Sequence, residues 1–264
     1  MTFEDQDKEE SGWQLYPLNG DTGHTYMGIK GNQKMFFKRN MTPFTAALST
    51  EHIAPRLVWT KRLSNGDILT AQEWSDGRTL RRDEMGNSRV VELLQHVHHS
   101  KRLLHILEQI GGHKYLPVTH LNKWMEGLPK ELFENKLVQS TYESLALNLP
   151  ETDDDMLSVC HGDINHKNWL LADDDSLYLV DWDNAIIADP LFDVGALFSQ
   201  YVPQGNRKTW LEEYGIAVNE SVKERCEWYA KFSILRRAKR HALTNDTEKL
   251  KECLIKLENN ESRE

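Results

Sequence analysis

Residues 160–171 read CHGDINHKNWLL, in which six side chains with strong hydrogen-bonding groups come before an abruptly apolar end. Shortly afterwards, residues 177–185 read LYLVDWDNA, where a short strand ends at Asp181. An aspartate-rich turn joins the two stretches, so the second doubles back beside the first. We therefore expect Asp181 to lie close to Asp163 and Asn168.

These three side chains match what phosphoryl transfer from ATP requires. A carboxylate receives or orients the proton of an attacking hydroxyl, and oxygen ligands hold the magnesium ions that offset phosphate charge. A hard cation prefers the oxygens of Asp and Asn to nitrogen or sulfur ligands. Two alternatives stay open: Asp163 and Asn168 as simple turn caps, and a zinc site, for which the loop lacks a fourth ligand at a recognised spacing.

Composition excludes some broad functions. The 264 residues carry a formal charge of -9, which argues against general affinity for nucleic acid or an anionic membrane. The acidic N-terminus lacks the basic start and apolar run of a secretory signal, and no stretch approaches the ~18 apolar residues of a membrane span. Three cysteines without a short metal-ligand spacing fit a reduced protein. We expect a cytoplasmic protein with no direct nucleic-acid binding and no membrane insertion.

The N-terminal part has the pattern of short strands. Residues 26–37 hold two apolar runs around a Gly-Asn turn, which predicts a hairpin with Lys38 at the end of a strand. A short helix is expected just before Pro55. Residues 57–74 predict a second hairpin around an Asn-Gly turn. About five strands and one helix would form a small, mostly antiparallel lobe.

Beyond residue 76 the apolar positions recur at helical spacing. The segment 88–108 predicts an amphipathic helix, and the segments 129–149 and 220–258 predict further helices. The change of pattern sets a boundary between two regions, 1–76 and 77–264.

The motif HGDINHKN followed by DWD resembles the H-G-D-x-x-x-x-N and D-W/F-D/E signatures of the aminoglycoside phosphotransferase and choline kinase family. The resemblance implies an α+β, bilobal, protein-kinase-like fold: a small antiparallel-sheet N-lobe that binds nucleotide and a larger, mainly helical C-lobe that binds substrate. It implies Asp163 as the catalytic base, His161 as the structural residue that opens the loop, and Asn168 and Asp181 as Mg²⁺ ligands. Asp183 is a secondary candidate ligand.

The same resemblance can be extended to the N-lobe. A kinase lobe needs a Gly-rich turn over the phosphates, a strand Lys on the α- and β-phosphates and a helix Glu that pairs with that Lys. The chain offers these parts in the expected order: Gly20, Gly23, Lys38 and Glu51. Glu73 and Trp74 stand where the hinge between lobes would lie, and their backbone would hydrogen-bond adenine.

A finer resemblance concerns the substrate. The run FFKRNMTPFTAALSTEHIAPRL, with the two motifs above, is similar to the cell-cycle regulator Z subfamily of Gram-positive bacteria. It implies a kinase of a ribose, 2-deoxyribose or related hydroxyl, linked to cell-cycle control and DNA replication initiation, with replication-initiation or cell-division proteins as partners. Two alternatives are a kinase-like regulatory protein acting mainly through protein partners and a choline- or aminoglycoside-type kinase. A protein kinase is disfavoured, because only residues 184–188 separate DWD from DP.

Other residues are assigned structural tasks. Asp193 is expected to anchor a loop or a helix start, and His98 to support the catalytic loop. The basic run SILRRAKRH, residues 233–241, is interpreted as the solvated face of a helix. Five aromatic residues are candidates for contact with substrate, and core packing is the default for most of them: Trp169, Trp182, Tyr201, Trp228 and Tyr229.

Overall fold

The computed structural model describes residues 12–18 and 25–261. The chain divides into two compact units. The first runs to Thr79 and also includes Lys167–Asp183, whereas the second comprises Leu80–His166 and Asn184–Glu264. The first unit is thus built from two separate stretches of chain, whereas the sequence pattern predicted a single boundary near residue 76.

Strands and helices are numbered here in chain order within the described residues. The strands are β1 (Gln14–Pro17), β2 (Thr25–Lys30), β3 (Gln33–Arg39), β4 (Leu57–Arg62), β5 (Ile68–Glu73), β6 (Gly77–Thr79), β7 (Ser158–Cys160), β8 (Trp169–Ala172), β9 (Leu177–Leu179) and β10 (Ile186–Ala188). The helices are α1 (Thr45–Thr50), α2 (Ser88–His99), α3 (Lys101–Gln109), α4 (Pro117–Met125), α5 (Lys130–Phe133), α6 (Lys136–Leu147), α7 (Leu191–Gln200), α8 (Arg207–Glu213), α9 (Glu220–Leu243) and α10 (Thr247–Glu261).

An antiparallel sheet in the order β1-β2-β3-β5-β4 forms most of the first unit. Both predicted hairpins are confirmed, because β2 pairs with β3 and β4 pairs with β5. Gly31 and Gly66 adopt the left-handed backbone that the two tight turns need, with φ of 57° and 94°. One face of the sheet packs around Phe37 and Ala71, which are both buried. The predicted short helix before Pro55 is confirmed as α1.

A second sheet, in the order β6-β8-β9, completes the first unit. The backbone N–H of Leu179 donates to the carbonyl of Ile53 at 2.9 Å and joins this sheet to the chain after α1. Trp169, at the start of β8, is fully buried. The sheet therefore holds the segment 167–183 firmly within this unit.

The second unit is mainly helical, and its helices are shorter than predicted. The single helix expected over 88–108 is wrong: the chain forms α2 and α3, separated at Ser100. This residue has an extended backbone, and its hydroxyl accepts a hydrogen bond from the N–H of Leu103 at 3.1 Å, which starts a new helix. The segments 129–149 and 220–258 also each form two helices rather than one.

Helices α7 and α9 pack against each other in the core of the second unit. Gly195 permits the close approach, because a Cβ atom there would lie 2.5 Å from Cβ of Tyr229. The three cysteines are buried, as small apolar residues are. In the part of the chain that the structure describes, no helix combines the length and apolarity needed to cross a bilayer.

Candidate active site

Lys38 and two aspartates form an ion-pair cluster in the first unit. Strand β3 carries Lys38, whose residue surface is only 7% exposed. Its Nζ donates to Oδ1 of Asp181 at 2.9 Å and to Oδ2 of Asp183 at 2.7 Å. The two carboxylates are partly exposed, with side-chain exposures of 51% and 38%. The cluster therefore presents acidic oxygens to solvent and buries its cation.

The backbone after β9 explains why both carboxylates reach Lys38. The strand ends at Leu179, Asp181 takes the left-handed conformation with φ of 66°, and a tight turn follows. Trp182 is buried in that turn, and its indole N–H donates to the carbonyl of Leu179 at 2.8 Å. The turn places the carboxylate of Asp183 beside that of Asp181, on the same Lys38 ammonium.

Lys38 is charged at any physiological pH. Burial lowers the pKa of its ammonium, but the hydrogen bonds and charges of Asp183 and Asp181 outweigh burial, and the net pKa is raised above the ordinary value. A positive charge is thus held on the inner side of the cluster.

A cavity of about 520 Å³ lies in the first unit beside this cluster. Lys38 and Asp181 line it, together with residues 73–79 and apolar side chains such as Phe36 and Leu170. The charge of Lys38 and Asp181 and the apolar surface of Phe36 and Leu170 suit a ligand with a phosphate tail and a flat base.

The predicted hinge residues lie on the wall of this cavity. The N–H of Glu73 donates to the carbonyl of Arg56 at 2.8 Å, and its side chain forms an ion pair with the same arginine. Trp74 donates its indole N–H to Asp76 at 2.8 Å. The N–H of Glu73 is thus already bonded within the first unit, and adenine binding by the backbone around Glu73 and Trp74 stays a prediction.

The remaining predicted nucleotide contacts are the Gly-rich turn and Glu51. Gly20 and Gly23 lie outside the described residues. Glu51 follows directly after α1, at its C-terminal end. Within residues 12–18 and 25–261, the carboxylates that Lys38 contacts are those of Asp181 and Asp183 rather than Glu51. The pairing of Lys38 with Glu51 therefore remains a sequence-based prediction only.

The loop that carries Asp163 belongs to the second unit and is anchored by Asp193. This fully buried carboxylate accepts hydrogen bonds from the N–H of His161 at 2.6 Å and the N–H of Gly162 at 3.1 Å. His98 supports it from the other side, with Nε2 at 3.2 Å from Oδ2 of Asp193. The expected anchoring role of Asp193 and the supporting role of His98 are confirmed.

The loop has little freedom. Gly162 has φ of 85°, and a Cβ atom there would lie 2.3 Å from the carbonyl oxygen of Asn184. His161 is buried, and its Nδ1 accepts the N–H of Asp163 at 3.2 Å. His161 therefore contacts the backbone of the loop, as expected of a supporting residue.

Two arginines lie near Asp163. Asn165 donates its amide to Oδ2 at 3.0 Å, and Nη1 of Arg240 lies 3.5 Å from Oδ1. Arg236 donates to the carbonyl of Gly162 at 2.8 Å and lies over the ring of Phe192 at 4.7 Å. The interpretation of the basic run as a solvated helix face is thus wrong for Arg236, which turns toward the loop.

A family model described as "Phosphotransferase enzyme family" matches residues 34–229, which is well over half of the chain. The chain belongs to this phosphotransferase family.

Solved structures agree on the fold. A choline kinase from Streptococcus pneumoniae is 15% identical, with a TM-score of 0.68 over 96% of this chain and 98% of that chain. A thermostable mutant of an aminoglycoside phosphotransferase is 14% identical, with a TM-score of 0.69 over 96% of both chains. Spectinomycin phosphotransferase, solved with ADP and spectinomycin, is 16% identical, with a TM-score of 0.63 over 95% of this chain and 85% of that chain. The predicted kinase-like α+β fold is confirmed.

The cluster of this phosphotransferase also fits the metal that the family implies. Asp181 and Asp183 turn carboxylate oxygens to one point, and the N–H of Val180 donates to the carbonyl of Asn168 at 2.8 Å, which holds Asn168 beside this turn. Carboxylate and amide oxygens are the donors that Mg²⁺ prefers.

The aromatic residues are mostly structural. Trp169, Trp182, Trp228 and Tyr229 are buried, which confirms core packing for them. Tyr201 is the exception: its hydroxyl accepts the N–H of His166 at 3.1 Å and lies 3.2 Å from Nδ1 of the same residue. Sequence reasoning did not assign this contact or the arginines near Asp163.

Proposed function

We propose that this phosphotransferase moves the terminal phosphoryl group of ATP to a hydroxyl of a sugar such as ribose or 2-deoxyribose, or of a related metabolite. One observation carries the proposal: Lys38 and Asp181 line a nucleotide-sized cavity, and Asp183 contacts the same Lys38 ammonium. The family match supports the reaction class, whereas the choice of a sugar rests on the subfamily resemblance.

The cluster would hold the phosphates. Lys38 is the cation for the α- and β-phosphates, while Asp181, Asp183 and Asn168 are the residues that would hold Mg²⁺. When bound, Mg²⁺ offsets the negative charge that spreads over the transferring phosphoryl group. Bound phosphates would give the Lys38 ammonium a new anionic partner, which would leave the carboxylates of Asp181 and Asp183 available to Mg²⁺.

Asp163 would orient the acceptor hydroxyl and receive its proton. The rigid loop matters here, because phosphoryl transfer depends on positioning and charge rather than on covalent chemistry. Asp193 holds the backbone N–H groups of His161 and Gly162, and Asn165 holds one oxygen of the Asp163 carboxylate. The carboxylate is thereby pre-oriented before the acceptor arrives.

The test is an ADP-release assay with ATP, Mg²⁺ and a panel of ribose, 2-deoxyribose, choline and an aminoglycoside. We expect a sugar to support turnover and Asp163→Asn to lower kcat by about 10²–10⁴-fold, the usual contribution of a positioned general base. Asp155→Asn, at an exposed position, is the matched control. A folded Asp163→Asn protein with full activity would refute the proposal.

We also propose that the activity is linked to the timing of DNA replication initiation in the cytoplasm, through replication-initiation or cell-division proteins. The alternative is a regulatory protein that binds nucleotide but acts through its partners. Replication timing should be compared in cells with a gene deletion and with Asp163→Asn. Equal defects support a catalytic role, and normal timing with Asp163→Asn supports the binding role.

A further inference from the structure

A second cavity, of about 160 Å³, lies beside Asp163 within the second unit. Three of its ten lining residues are arginines: Arg236, Arg237 and Arg240. Asp163 is the one carboxylate among these lining residues, all of which the structure describes. The acceptor side of the proposed reaction therefore carries a net positive charge.

The arginines come from one turn of helix α9. Positions 236, 237 and 240 lie on neighbouring parts of the helix surface, because residues three and four apart share a face. Arg236 is held by the carbonyl of Gly162, and Arg240 pairs with the carboxylate of Asp163. These two arginines have partners in the loop itself.

Arg237 is different. Its Nη1 is buried and has no hydrogen-bond partner in the described ranges 12–18 and 25–261. A buried donor without an acceptor is costly and calls for an explanation. Further positive charge lies nearby: Lys256 donates to the carbonyl of Ser199, and its pKa is lowered by burial and then by the charges of Arg237 and Arg82.

We propose that the acceptor carries, besides its hydroxyl, an anionic group, phosphate or carboxylate, which Arg237 and Arg240 bind. This proposal rests on the proposed function and narrows the acceptor, among sugars and related metabolites, to those that also carry an anionic group. Guanidinium groups bind phosphate and carboxylate through paired, charge-assisted hydrogen bonds. The anion gives Nη1 of Arg237 an acceptor and shares Arg240 with Asp163, which stays beside the hydroxyl.

The same charges work against a cationic acceptor. An ammonium group in this cavity would meet three guanidinium groups and a single carboxylate that Arg240 already neutralises. Like charges in a partly buried site repel strongly, and specificity often depends on such repulsion. A requirement to hold Asp163 in place does not explain the arrangement, because Arg240 and Asn165 already do so without Arg237.

Binding to the full chain should be measured by calorimetry with Mg²⁺ and a non-hydrolysable ATP analogue present. The four probes are ribose 5-phosphate, gluconate, ribose and choline. We expect at least one anionic probe to bind about tenfold or more tighter than ribose, since a charge-assisted hydrogen bond has that order of effect, and choline to bind weakest. The anionic probe that binds more tightly shows whether the site prefers a phosphate or a carboxylate.

Variants then locate the anion. Arg237→Gln should weaken binding of the preferred anionic probe about tenfold or more and leave ribose binding unchanged. Arg102→Gln, at an exposed position on α3, is the matched control and should alter neither. Circular dichroism and the unfolding midpoint establish that both variants are folded, and Arg237→Lys, which keeps the charge, should restore part of the affinity.

The proposal is overturned if choline or ribose binds as tightly as both anionic probes, if neither anionic probe binds, or if Arg237→Gln weakens ribose and the anionic probe equally. Failure of the proposed function can be distinguished from failure of the anion site by comparing ADP release with binding. Tight binding of an anionic probe without ADP release from ATP would contradict phosphoryl transfer to it while supporting the anion site. ADP release with choline alone would support a kinase and overturn the anion site.

Discussion

Asp193→Asn tests whether one buried carboxylate holds the catalytic loop. Asp193 is fully buried and accepts two backbone N–H groups, at 2.6 and 3.1 Å, besides contacting His98. Asparagine keeps the size and one acceptor oxygen but presents an NH₂ group to the second N–H. The substitution therefore removes a charge and sets two donors against each other without opening a cavity.

The magnitude follows from the bonds lost. A hydrogen bond to a charged group contributes about 1.5–3 kcal/mol, and an unsatisfied buried donor costs about 1–3 kcal/mol. We expect the free energy of unfolding to fall by about 3 kcal/mol, and the midpoint of thermal unfolding to fall by about 6–12 °C for a chain of this size. The ADP-release rate should fall as well, since the loop carrying Asp163 loses its anchor.

The effect of Asp193→Asn on the free energy of unfolding should depend on pH. Burial raises the pKa of Asp193, but the hydrogen bond and charge of His98, followed by the charge and N–H of His161, outweigh burial, so the pKa is lowered below 3.8. A carboxyl with a lowered pKa contributes stability that is full above its unfolded pKa and is lost as pH falls through its folded pKa. Wild type and Asp193→Asn should thus differ most near neutral pH and progressively less below pH 3.8.

Urea unfolding followed by tryptophan fluorescence at several pH values measures this difference. Asp155→Asn, at an exposed site, is the control for the loss of one surface carboxylate. The reasoning is refuted if Asp193→Asn changes the free energy of unfolding by less than about 1 kcal/mol, the size of one ordinary hydrogen bond. A difference that grows toward acid pH would contradict the assigned direction of the pKa shift.

Three further substitutions test other features. Lys38→Met should weaken ATP binding about tenfold or more by calorimetry, because a charge-assisted contact to phosphate is lost; unchanged affinity would remove Lys38 from the nucleotide site. Gly162→Ala should destabilise the protein by about 1–3 kcal/mol in urea unfolding, because φ of 85° and the carbonyl of Asn184 leave no room for Cβ. An unaltered midpoint would mean that the loop relaxes freely. Ser100→Ala should cost about 1 kcal/mol, the usual effect of losing a helix N-cap, whereas Ser100→Asp should not; equal losses would exclude capping as the cause.

Much of the fold was predictable because its signals are local. Alternating apolar residues around Gly31 and Gly66 specify hairpins whose turns need left-handed backbone. Asp193, just after Pro190 at a helix start, was recognisable as an anchor from its position.

The features that sequence reasoning missed depend on local backbone conformation or on contacts distant in the chain. Ser100 fits a helix interior or a cap equally well, and only its extended backbone separates α2 from α3. Asp181 takes a left-handed conformation, which is uncommon for a residue other than glycine, in the turn where Asp183 contacts Lys38. Arg236 has the composition of a surface residue, yet Gly162 and Phe192 draw its guanidinium inward.

The split composition of the first unit has a consequence for synthesis of the chain. When a ribosome has released the residues up to Thr79, β6 lacks its partner β8 and Lys38 lacks both aspartates. A buried ammonium without a counter-charge is unfavourable, so this unit cannot complete its fold until Asp183 has emerged. The helices formed by residues 80–166 leave the ribosome before Asp183 does, and a fragment that stops at Thr79 should be a target for proteases rather than an independently folded unit.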